Sequence, residues 1–225
     1  MKIVAIIPAR YDSSRFVGKP LASIKGKPMI WWTYRQAKKV KEISDVYVAT
    51  DDERIYRCCE EYGINVVMTN ENHLTGTDRV AEVAMKIEAD IYINIQGDEP
   101  LIEPETIRAV LPPVLEDENI KVVNLMAKIC DPVDVINNTI PKVITDNYNK
   151  ALFLTRAAAP YPKGAIDFPY YKQVCVYAFR KDALEFFSEY GQKYGKSKNE
   201  RIEDIELLRF IDNNYEVQFV EVETN

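Results

Sequence analysis

The first twenty residues contain a cluster of cationic side chains that could bind a polyphosphate. Arg10, Arg15 and Lys19 fall within ten positions, in a stretch that also holds Ser13 and Gly18. Like charges this close repel one another unless an anion neutralises them. Arginine and lysine give charge-assisted hydrogen bonds to phosphate, and small residues let backbone N–H groups approach it. The stretch therefore predicts a polyphosphate site, the alternative being a solvated basic loop.

A second polar cluster follows an apolar run in the middle of the chain. The run 91–95 leads directly into Gln96, Gly97, Asp98 and Glu99. A carboxylate at the end of a buried strand is costly unless a cation accompanies it. Mg²⁺ favours one or two carboxylates together with phosphate oxygens. We predict that Asp98 holds Mg²⁺ against the polyphosphate; the alternative, a tight turn before a helix, leaves Gln96 and Asp98 unexplained.

Two further polar segments precede predicted helices. Thr77 and Asp78 suit a helix N-cap, and Gly76 before them permits a close approach of backbone to a ligand. These two interpretations of the segment are compatible. Thr50 or Asp51 is predicted to cap the helix that follows the second strand.

Strands and helices must position these clusters. The sequence patterns that predict strands and helices alternate along the chain. Alternation of this kind predicts a mostly parallel, helix-covered sheet, whose strands bind ligands at their carboxyl ends. We predict a single α/β domain over 1–225, with a smaller late β lobe at about 150–180 within it. The predicted strands are 2–7, 45–49, 65–68, 91–96, 122–127, 142–145, 151–154, 172–179 and 216–223, and the predicted helices are 29–41, 53–62, 77–87, 104–115, 182–189 and 202–213.

Composition excludes several classes of protein. A net charge of −6 over 225 residues disfavours a general nucleic-acid binder. No apolar run is long enough to span a bilayer, and no signal-peptide pattern opens the chain, so we expect a cytoplasmic protein without membrane insertion. The four cysteines form no C-x-x-C pattern, which favours free thiols, and a single histidine disfavours a zinc site.

The stretch from Ile6 to Ile30 contains neither of the common glycine-rich phosphate motifs. Its Pro-Ala-Arg, Lys-Pro-Leu and Gly-Lys-Pro-Met-Ile segments instead resemble the signature loop of the 3-deoxy-manno-octulosonate (Kdo) cytidylyltransferases, the CMP-Kdo synthetase family. The Gln-Gly-Asp-Glu-Pro segment at 96–100 is similar to that family as well. The resemblance covers nearly the whole chain. It implies a nucleotide-diphospho-sugar transferase-like fold, Mg²⁺, a homodimer, and transfer of a cytidylyl group from CTP to an acidic sugar with release of pyrophosphate.

The resemblance also implies roles for individual residues. The catalytic residues would be Lys19, Arg10 and Arg15, and Asp98 would be the metal ligand. The nucleotide-binding residues would be Pro8, Ala9, Arg10, Ser13, Thr75, Gly76, Arg79 and Gln96. The acceptor-binding residues would be Arg156, Gln173, Tyr177 and Glu206.

The acceptor half departs from the family pattern in three places. A histidine and a glycine of the family's late strand are replaced by Gln173 and Cys175, and a helical glutamine is replaced by Leu207. The family's Val-Asp-Thr-Pro-Glu-Asp segment, whose first Asp is a second metal ligand, does not occur before Asn225. Either the sequence is incomplete there or the metal site is built differently. We expect an intact nucleotide half and an altered acceptor half.

Several alternatives stay open on this basis. Kdo or its 8-amino relative is the expected acceptor, and another small anionic acceptor such as a phosphonate is the alternative. A metal-dependent glycosyltransferase and a non-catalytic nucleotide-binding protein are the other classes. Pyrophosphate release separates the cytidylyltransferases from both.

Overall fold

The computed structural model describes residues 1–12, 16–97, 99–164 and 168–223. Strands and helices alternate through the first half, as the sequence predicts. The strands are β1 (Ile3–Ala9), β2 (Ser23–Ile24), β3 (Lys27–Pro28), β4 (Asp45–Thr50), β5 (Val66–Met68), β6 (Ile91–Ile95), β7 (Val122–Lys128), β8 (Lys142–Thr145), β9 (Ala151–Thr155), β10 (Tyr171–Arg180) and β11 (Gln218–Glu221). The helices are α1 (Met29–Ala37), α2 (Glu53–Glu61), α3 (Gly76–Lys86), α4 (Pro104–Arg108), α5 (Leu111–Glu116), α6 (Pro132–Ile136), α7 (Lys181–Tyr194), α8 (Lys198–Glu203) and α9 (Leu208–Ile211).

Within the described residues one large sheet has the order β11-β7-β10-β6-β1-β4-β5. Strands β6, β1, β4 and β5 pair in parallel, and β11 is parallel to β7. Strand β10 is antiparallel to β6 and β7, its two neighbours in this order. The predicted mostly parallel, helix-covered α/β sheet is confirmed.

The sheet has a hydrophobic core on each face, which explains why its central strands are continuously apolar. Along β1, Ile3 and Ile7 point into the core under α1, α2, α4 and α5, whereas Val4 and Ile6 point into the core under α3, α7 and α9. Because successive side chains of a strand alternate between faces, both cores anchor the same strand. The carboxyl end of β1 is therefore held from both sides.

Several predicted boundaries are wrong for local reasons. β1 continues through Pro8, which is possible because its pairing with β6 ends at Ile6 and Pro8 has β4 alone as neighbour in the ladder. The predicted helix 104–115 is two helices, α4 and α5, with a break before the first-turn prolines of α5. The predicted helix 202–213 is broken at Asp204, which ends α8 at a φ of +52°. The last strand is shorter than predicted, at 218–221.

The late β lobe, predicted at about 150–180 within the single domain, corresponds in the described structure to β9 and β10, with β8 just before them. Strands β8 and β9 form an antiparallel hairpin, and β8 pairs with the start of β10 at Tyr171 and Lys172. In the middle of the main sheet, β10 pairs with β7 from Tyr171 to Phe179 and with β6 from Val176 to Arg180. It therefore serves both the hairpin and the sheet, because it extends beyond the end of β6 and pairs there with β8.

None of the helices in the described ranges has the length and apolar character needed to cross a membrane.

Candidate functional site

A pocket of about 420 Å³ opens at the carboxyl ends of β1 and β6. Three segments form its walls: the loop after β1, the start of α3, and the segment 196–206. Ligands bind at this edge of parallel α/β sheets because loops from neighbouring strands converge there. The described lining residues are Pro8, Ala9, Arg10, Asp12, Lys19, Pro20, Leu74, Thr75, Gly76, Gln96, Gly97, Lys196, Glu200, Asp204 and Glu206.

The predicted polyphosphate loop contributes two cations to this pocket. Arg10 Nη2 donates a hydrogen bond of 3.1 Å to the carbonyl of His73, which holds the guanidinium at the pocket wall. Lys19 lies on the same wall, after Gly18. The Gly18 N–H donates to the Tyr11 carbonyl at 2.8 Å and closes the base of the loop. Ser13 and Arg15, predicted for the same site, lie outside the described residues.

The base of this loop is fixed by a cation stacked on an aromatic ring. The Arg54 guanidinium lies 3.2 Å from the centroid of the Tyr11 ring, and Arg54 also pairs with Asp52 at 2.6 Å. Gly18, at a φ of +71°, packs against the same ring, and a Cβ there would lie 3.1 Å from a Tyr11 ring atom. Glycine is required here both by the left-handed backbone and by the close contact. The loop therefore has a rigid base from which Lys19 faces the pocket.

Gln96 and Gly97 form the floor where β1 and β6 lie side by side. A Cβ at Gly97 would lie 3.0 Å from the Pro8 carbonyl oxygen, so a larger residue would push the two strand ends apart. A Cβ placed at Gly76 would lie 3.4 Å from Gln96 Nε2 and 3.4 Å from Pro8. Pro8, Gly76, Gln96 and Gly97 thus converge, as the sequence predicts for the first three. Asp98 lies outside the described residues, although its neighbour Gly97 lines the pocket.

The N-terminus of α3 is capped by a residue directly before it and by a residue far along the chain. Thr75 is the N-cap, and its Oγ1 accepts from the Asp78 N–H at 3.1 Å. Glu206, which is 130 positions away, accepts from the Gly76 N–H and the Thr77 N–H, each at 3.0 Å. A carboxylate is stabilised there by the helix dipole. Burial raises the pKa of Glu206 in opposition to these hydrogen bonds. The predicted cap at Thr77 and Asp78 is wrong, because Thr75 takes that role.

Arg79 is brought close to the site but not into the pocket wall. Its side chain is completely buried, and its Nη2 pairs with Asp51 Oδ2 at 2.6 Å. A second hydrogen bond runs from Nη1 to Thr69. Arg79, predicted to be a nucleotide-binding residue, is thus in an ion pair with Asp51 and is not among the described lining residues. The N-cap of α2 is Asp52, whose side chain accepts from the Arg54 N–H, so the predicted cap at Thr50 or Asp51 is wrong.

Arg156, predicted to face the acceptor, is instead bonded to backbone carbonyls. Its guanidinium donates to the carbonyls of Glu203 at 2.6 Å, Asp204 at 3.1 Å, Asn138 at 3.1 Å and Thr139 at 3.2 Å. Arginine has five N–H donors, so these contacts leave little capacity for a carboxylate ligand. Arg156 is not among the lining residues. It holds the end of α8, and the C-cap residue of that helix, Asp204, does line the pocket.

Gln173 and Tyr177 lie on β10, behind the described pocket wall rather than in it. Tyr177 is buried, and burial, with Cys175 and Glu206 nearby, raises the pKa of its hydroxyl well above the ordinary value. Gln173 is half-buried and donates to Asn124 Oδ1 at 3.1 Å. Of the four predicted acceptor residues, Glu206 alone is among the described lining residues. The cysteines are free, as predicted, with Cys59 buried and Cys130 exposed.

The sequence interpretation missed the buried ion network behind the segment 196–206. Arg209 is completely buried and binds Glu200 through Nε at 2.8 Å and Nη2 at 2.7 Å. Its Nη1 binds Asp78 at 2.7 Å, and the guanidinium stacks 3.7 Å from the Phe187 ring centroid. The capping box at Ser197, with Glu200 three residues later, was a signal present in the sequence.

The carboxylates of the pocket are largely committed to protein partners. Glu200 binds Arg209, Glu206 binds backbone N–H groups, and Asp204 pairs with Lys196 at 2.5 Å. In the described ranges no group of three or more His, Cys, Asp or Glu side chains is placed to hold a metal ion. A Mg²⁺ ion on Asp98 and the phosphates therefore stays a prediction.

The chain is similar to known proteins along nearly all of its length. Residues 4–219 match the family described as cytidylyltransferase. A 3-deoxy-manno-octulosonate cytidylyltransferase of Solibacter usitatus is 39% identical over 99% of this chain and 87% of its own length. The enzyme of that name from Fusobacterium nucleatum is 40% identical over 98% of this chain and 89% of its own. The Escherichia coli enzyme of that name is 39% identical over 98% of this chain and 88% of its own length.

Solved structures agree with these relatives. A CMP:2-keto-3-deoxy-manno-octonic acid synthetase complexed with CTP is 38% identical, with a TM-score of 0.93 over 100% of this chain and 91% of that one. A 4-diphosphocytidyl-2C-methyl-D-erythritol synthase of Anaerococcus prevotii, 17% identical, has a TM-score of 0.62 over 99% of this chain and 89% of its own, which shows the shared fold alone.

Proposed function

The chain belongs to the cytidylyltransferase family, and we propose that it couples CTP to 3-deoxy-manno-octulosonate (Kdo), forming CMP-Kdo and pyrophosphate. The observation that carries this proposal is the pocket in which Arg10 and Lys19 meet the Gly76 loop and Gln96. It combines cations for a triphosphate with backbone groups for a base. The relatives named above, which are Kdo cytidylyltransferases by name, support the choice of acceptor.

The proposed reaction is a displacement at phosphorus. The anomeric hydroxyl oxygen of Kdo attacks the α-phosphorus of CTP, the bond to the bridging oxygen breaks, and pyrophosphate leaves as the hydroxyl proton is released. Catalysis of this kind depends on positioning and on neutralising charge in the transition state. Lys19 is proposed to bind at the reacting phosphate, and Arg10, fixed by the His73 carbonyl, to bind the outer phosphates. Bound Mg²⁺ would neutralise further phosphate charge, with Asp98 as its proposed protein ligand.

The nucleoside is proposed to bind beside the start of α3. Thr75 and Gly76 line the pocket there, and Glu206 holds the Gly76 N–H in a fixed direction. A base edge is recognised by donors and acceptors in its own plane, which a fixed backbone loop can provide.

The carboxylate of the acceptor needs a cation other than Arg156, whose donors are engaged. Among the described lining residues outside the loop after β1, Lys196 supplies that charge. Its pairing with Asp204 at 2.5 Å keeps the ammonium group at the wall until an anion competes for it. We therefore assign the acceptor carboxylate to Lys196.

The test is CTP-dependent release of pyrophosphate in the presence of Mg²⁺. The panel of acceptors is Kdo, 8-amino-8-deoxy-Kdo, a sialic acid and 2-aminoethylphosphonate. Kdo should give the highest kcat/KM, and a preference for the phosphonate would contradict the proposed acceptor. CTP binding without pyrophosphate from any acceptor would contradict cytidylyl transfer itself.

Variants assign the roles within that assay. Lys19→Ala and Asp98→Ala should each lower kcat by about 10²-fold or more, because each removes charge stabilisation in the transition state. The matched control is Lys41→Ala, which removes an exposed lysine far along the chain from the pocket residues. Unchanged kcat in Lys19→Ala would contradict the mechanism.

A homodimer in the cytoplasm is also proposed. Exposed apolar side chains near the β8–β9 hairpin, Val133, Ile136 and Leu152, support self-association. Light scattering of the purified chain at micromolar concentration tests it, and a monomeric mass would contradict it.

A further inference from the structure

The carbonyl group that holds Arg10 belongs to a loop, residues 69–75, between β5 and α3. Arg10 lines the pocket, and within the described residues its guanidinium donates one hydrogen bond, from Nη2 to the His73 carbonyl at 3.1 Å. Buried Arg79 lies close enough for the two positive charges to repel, because the pKa of Arg79 is lowered chiefly by burial and in part by the charge of Arg10. The position of the Arg10 guanidinium therefore depends on where the loop presents its carbonyl.

The loop is bonded to one face of α3. Glu82 Oε2 accepts from the Asn70 N–H at 2.8 Å and lies 2.5 Å from His73 Nε2. Lys86 lies one turn further along α3, and its Nζ donates to Glu82 Oε1 at 2.6 Å and to the Met68 carbonyl at 3.0 Å. The loop and the strand end before it are thus fixed to the helix whose N-terminus lines the pocket.

The charge of Glu82 fixes the direction of its hydrogen bond with His73. Although burial opposes ionisation, the hydrogen bonds that Glu82 accepts, first among them the one from Lys86, lower its pKa to about 2. A carboxylate only accepts hydrogen bonds, so the proton must be on His73 Nε2. The ring of His73 therefore donates to Glu82, and the carbonyl of the same residue accepts from Arg10. Because both groups belong to one residue, anchoring the ring restricts the direction of the carbonyl.

We infer that His73 and Glu82 are positioning residues for nucleotide binding: Glu82 anchors the His73 ring, and the His73 carbonyl holds Arg10 toward the outer phosphates of CTP. This rests on the proposed function, in which Arg10 binds those phosphates. A guanidinium that is already held in place loses less conformational freedom when an anion binds. The anchor therefore strengthens binding of the nucleoside triphosphate and leaves binding of the monophosphate unchanged, because the monophosphate has no outer phosphates.

Calorimetric titrations with CTP and with CMP, in the presence of Mg²⁺ and without acceptor, test the inference. His73→Ala removes the ring and keeps a backbone carbonyl at the same position. We expect the Kd for CTP to rise about five- to tenfold, as for one side chain that must be ordered on binding, while the Kd for CMP changes no more than about twofold. Equal rises for the two nucleotides, or no rise for CTP, would overturn the inference.

Asn72→Ala is the matched control. Asn72 is an exposed, uncharged residue of the same loop, and its side chain bonds to Asn70 rather than to α3. This variant should keep both Kd values within about twofold of those of the wild type. A rise in the Kd for CTP as large as that in His73→Ala would show that any change in the loop weakens binding, and the specific role of His73 would then be wrong.

Substitution by glutamine separates the hydrogen bond from the other properties of the ring. In His73→Gln the side-chain amide can donate to Glu82 and carries no charge. It should bring the Kd for CTP back to within about twofold of the wild-type value, and a Kd as high as that of His73→Ala would contradict the role of the donor. Should His73→Ala fail to fold, His73→Phe replaces it, because phenylalanine keeps a ring and has no donor.

A double-mutant cycle tests whether the effect passes through Arg10. In an Arg10→Ala background, His73→Ala should have little further effect on the Kd for CTP, and full additivity would overturn the assignment. Because these titrations contain no acceptor, failure of Kdo in the pyrophosphate assay contradicts the proposed acceptor and leaves the inference standing. A wild type that binds CTP no more tightly than CMP would contradict the phosphate role of Arg10, and the inference with it.

Discussion

Arginine side chains of this protein differ in role according to their burial and their partners. Arg79 and Arg209 are completely buried, and each is paired with carboxylates. Arg156 is bonded to four carbonyls. Within the described residues, Arg10 donates one hydrogen bond, to the His73 carbonyl at the pocket wall, and a guanidinium has five N–H donors. At the residue scale, the number of N–H donors that an arginine has left after bonding to the protein decides whether it can bind substrate.

Gly97 gives a prediction about close packing at the pocket floor. In Gly97→Ala the new methyl group would lie 3.0 Å from the Pro8 carbonyl oxygen. We expect the free energy of unfolding to fall by about 1–3 kcal/mol, as for other overpacked sites, and kcat/KM for CTP to fall as well. Urea denaturation and the pyrophosphate assay measure the two effects. Gly164→Ala is the control, since no atom of the described residues lies within 4 Å of a Cβ there; equal stability of the two variants would contradict the packing argument.

Glu82 gives a prediction about pH. Burial opposes ionisation, but hydrogen bonds from Lys86, the Asn70 N–H and His73 outweigh it and lower the pKa of Glu82 from 4.5 to about 2. A carboxyl with a depressed folded-state pKa stabilises the protein above its unfolded pKa, and this contribution is lost as the pH falls through the folded value. Wild type should therefore exceed Glu82→Gln in unfolding free energy at pH 6, and the difference should shrink toward pH 2. A difference independent of pH in urea titrations would refute this.

At the scale of elements, the pocket wall is made by helices that the Arg209 network joins. Asp78 belongs to α3 and Glu200 to α8, and Arg209 itself lies on α9. Helix α7 is joined to them at Gly191, where a Cβ would lie 2.6 Å from Arg209 Nη1. A glycine in the last turn of a helix costs stability by itself, and its presence is explained by this approach. The four helices thus share one buried charge cluster directly behind the segment 196–206.

Removing the central charge of this network should strongly destabilise the fold. In Arg209→Met two buried carboxylates lose their cation, and breaking a buried ion pair in this way costs about 3–5 kcal/mol. The free energy of unfolding in urea should fall by that amount. Arg201→Met, on the exposed face of α8, should change it by less than about 0.5 kcal/mol. Comparable losses in the two variants would show that the network contributes little.

At the scale of the whole molecule, the pocket joins distant parts of the chain. Arg10 and Lys19 come from the beginning, Gln96 from the middle, and Lys196 and Glu206 from near the end. A ligand that fills this pocket would contact all of these segments at once. Binding should therefore stabilise the domain as one cooperative unit rather than one element of it.

Thermal unfolding tests this coupling. CTP at about 100 times its Kd should add about 2.7 kcal/mol to the unfolding free energy and raise Tm in a single transition. Lys19→Ala, measured at the same CTP concentration, should show a smaller rise. Two separate transitions, or a Tm indifferent to CTP, would contradict a single cooperative unit around the site.

The sequence alone determined the layers of the fold and the family. Apolar runs and amphipathic helices are local patterns, so the alternation of strands and helices was readable from them. The loop after β1 and the segment at 96–100 predicted a polyphosphate site at strand ends; that site stays a prediction, and the structure brings Pro8, Gly76 and Gln96 together there. The family expected from the first thirty residues is confirmed.

Tertiary structure decided which charged groups serve the site and which serve the fold. Glu206 caps a helix whose first residue is 130 positions away in the sequence, and Arg209 binds Asp78, which is 131 positions away. Arg79 and Arg156 are committed to partners that only the folded chain brings near. No local pattern reports such pairings, because burial of a charge fixes its partner through the whole packing arrangement rather than through neighbouring residues.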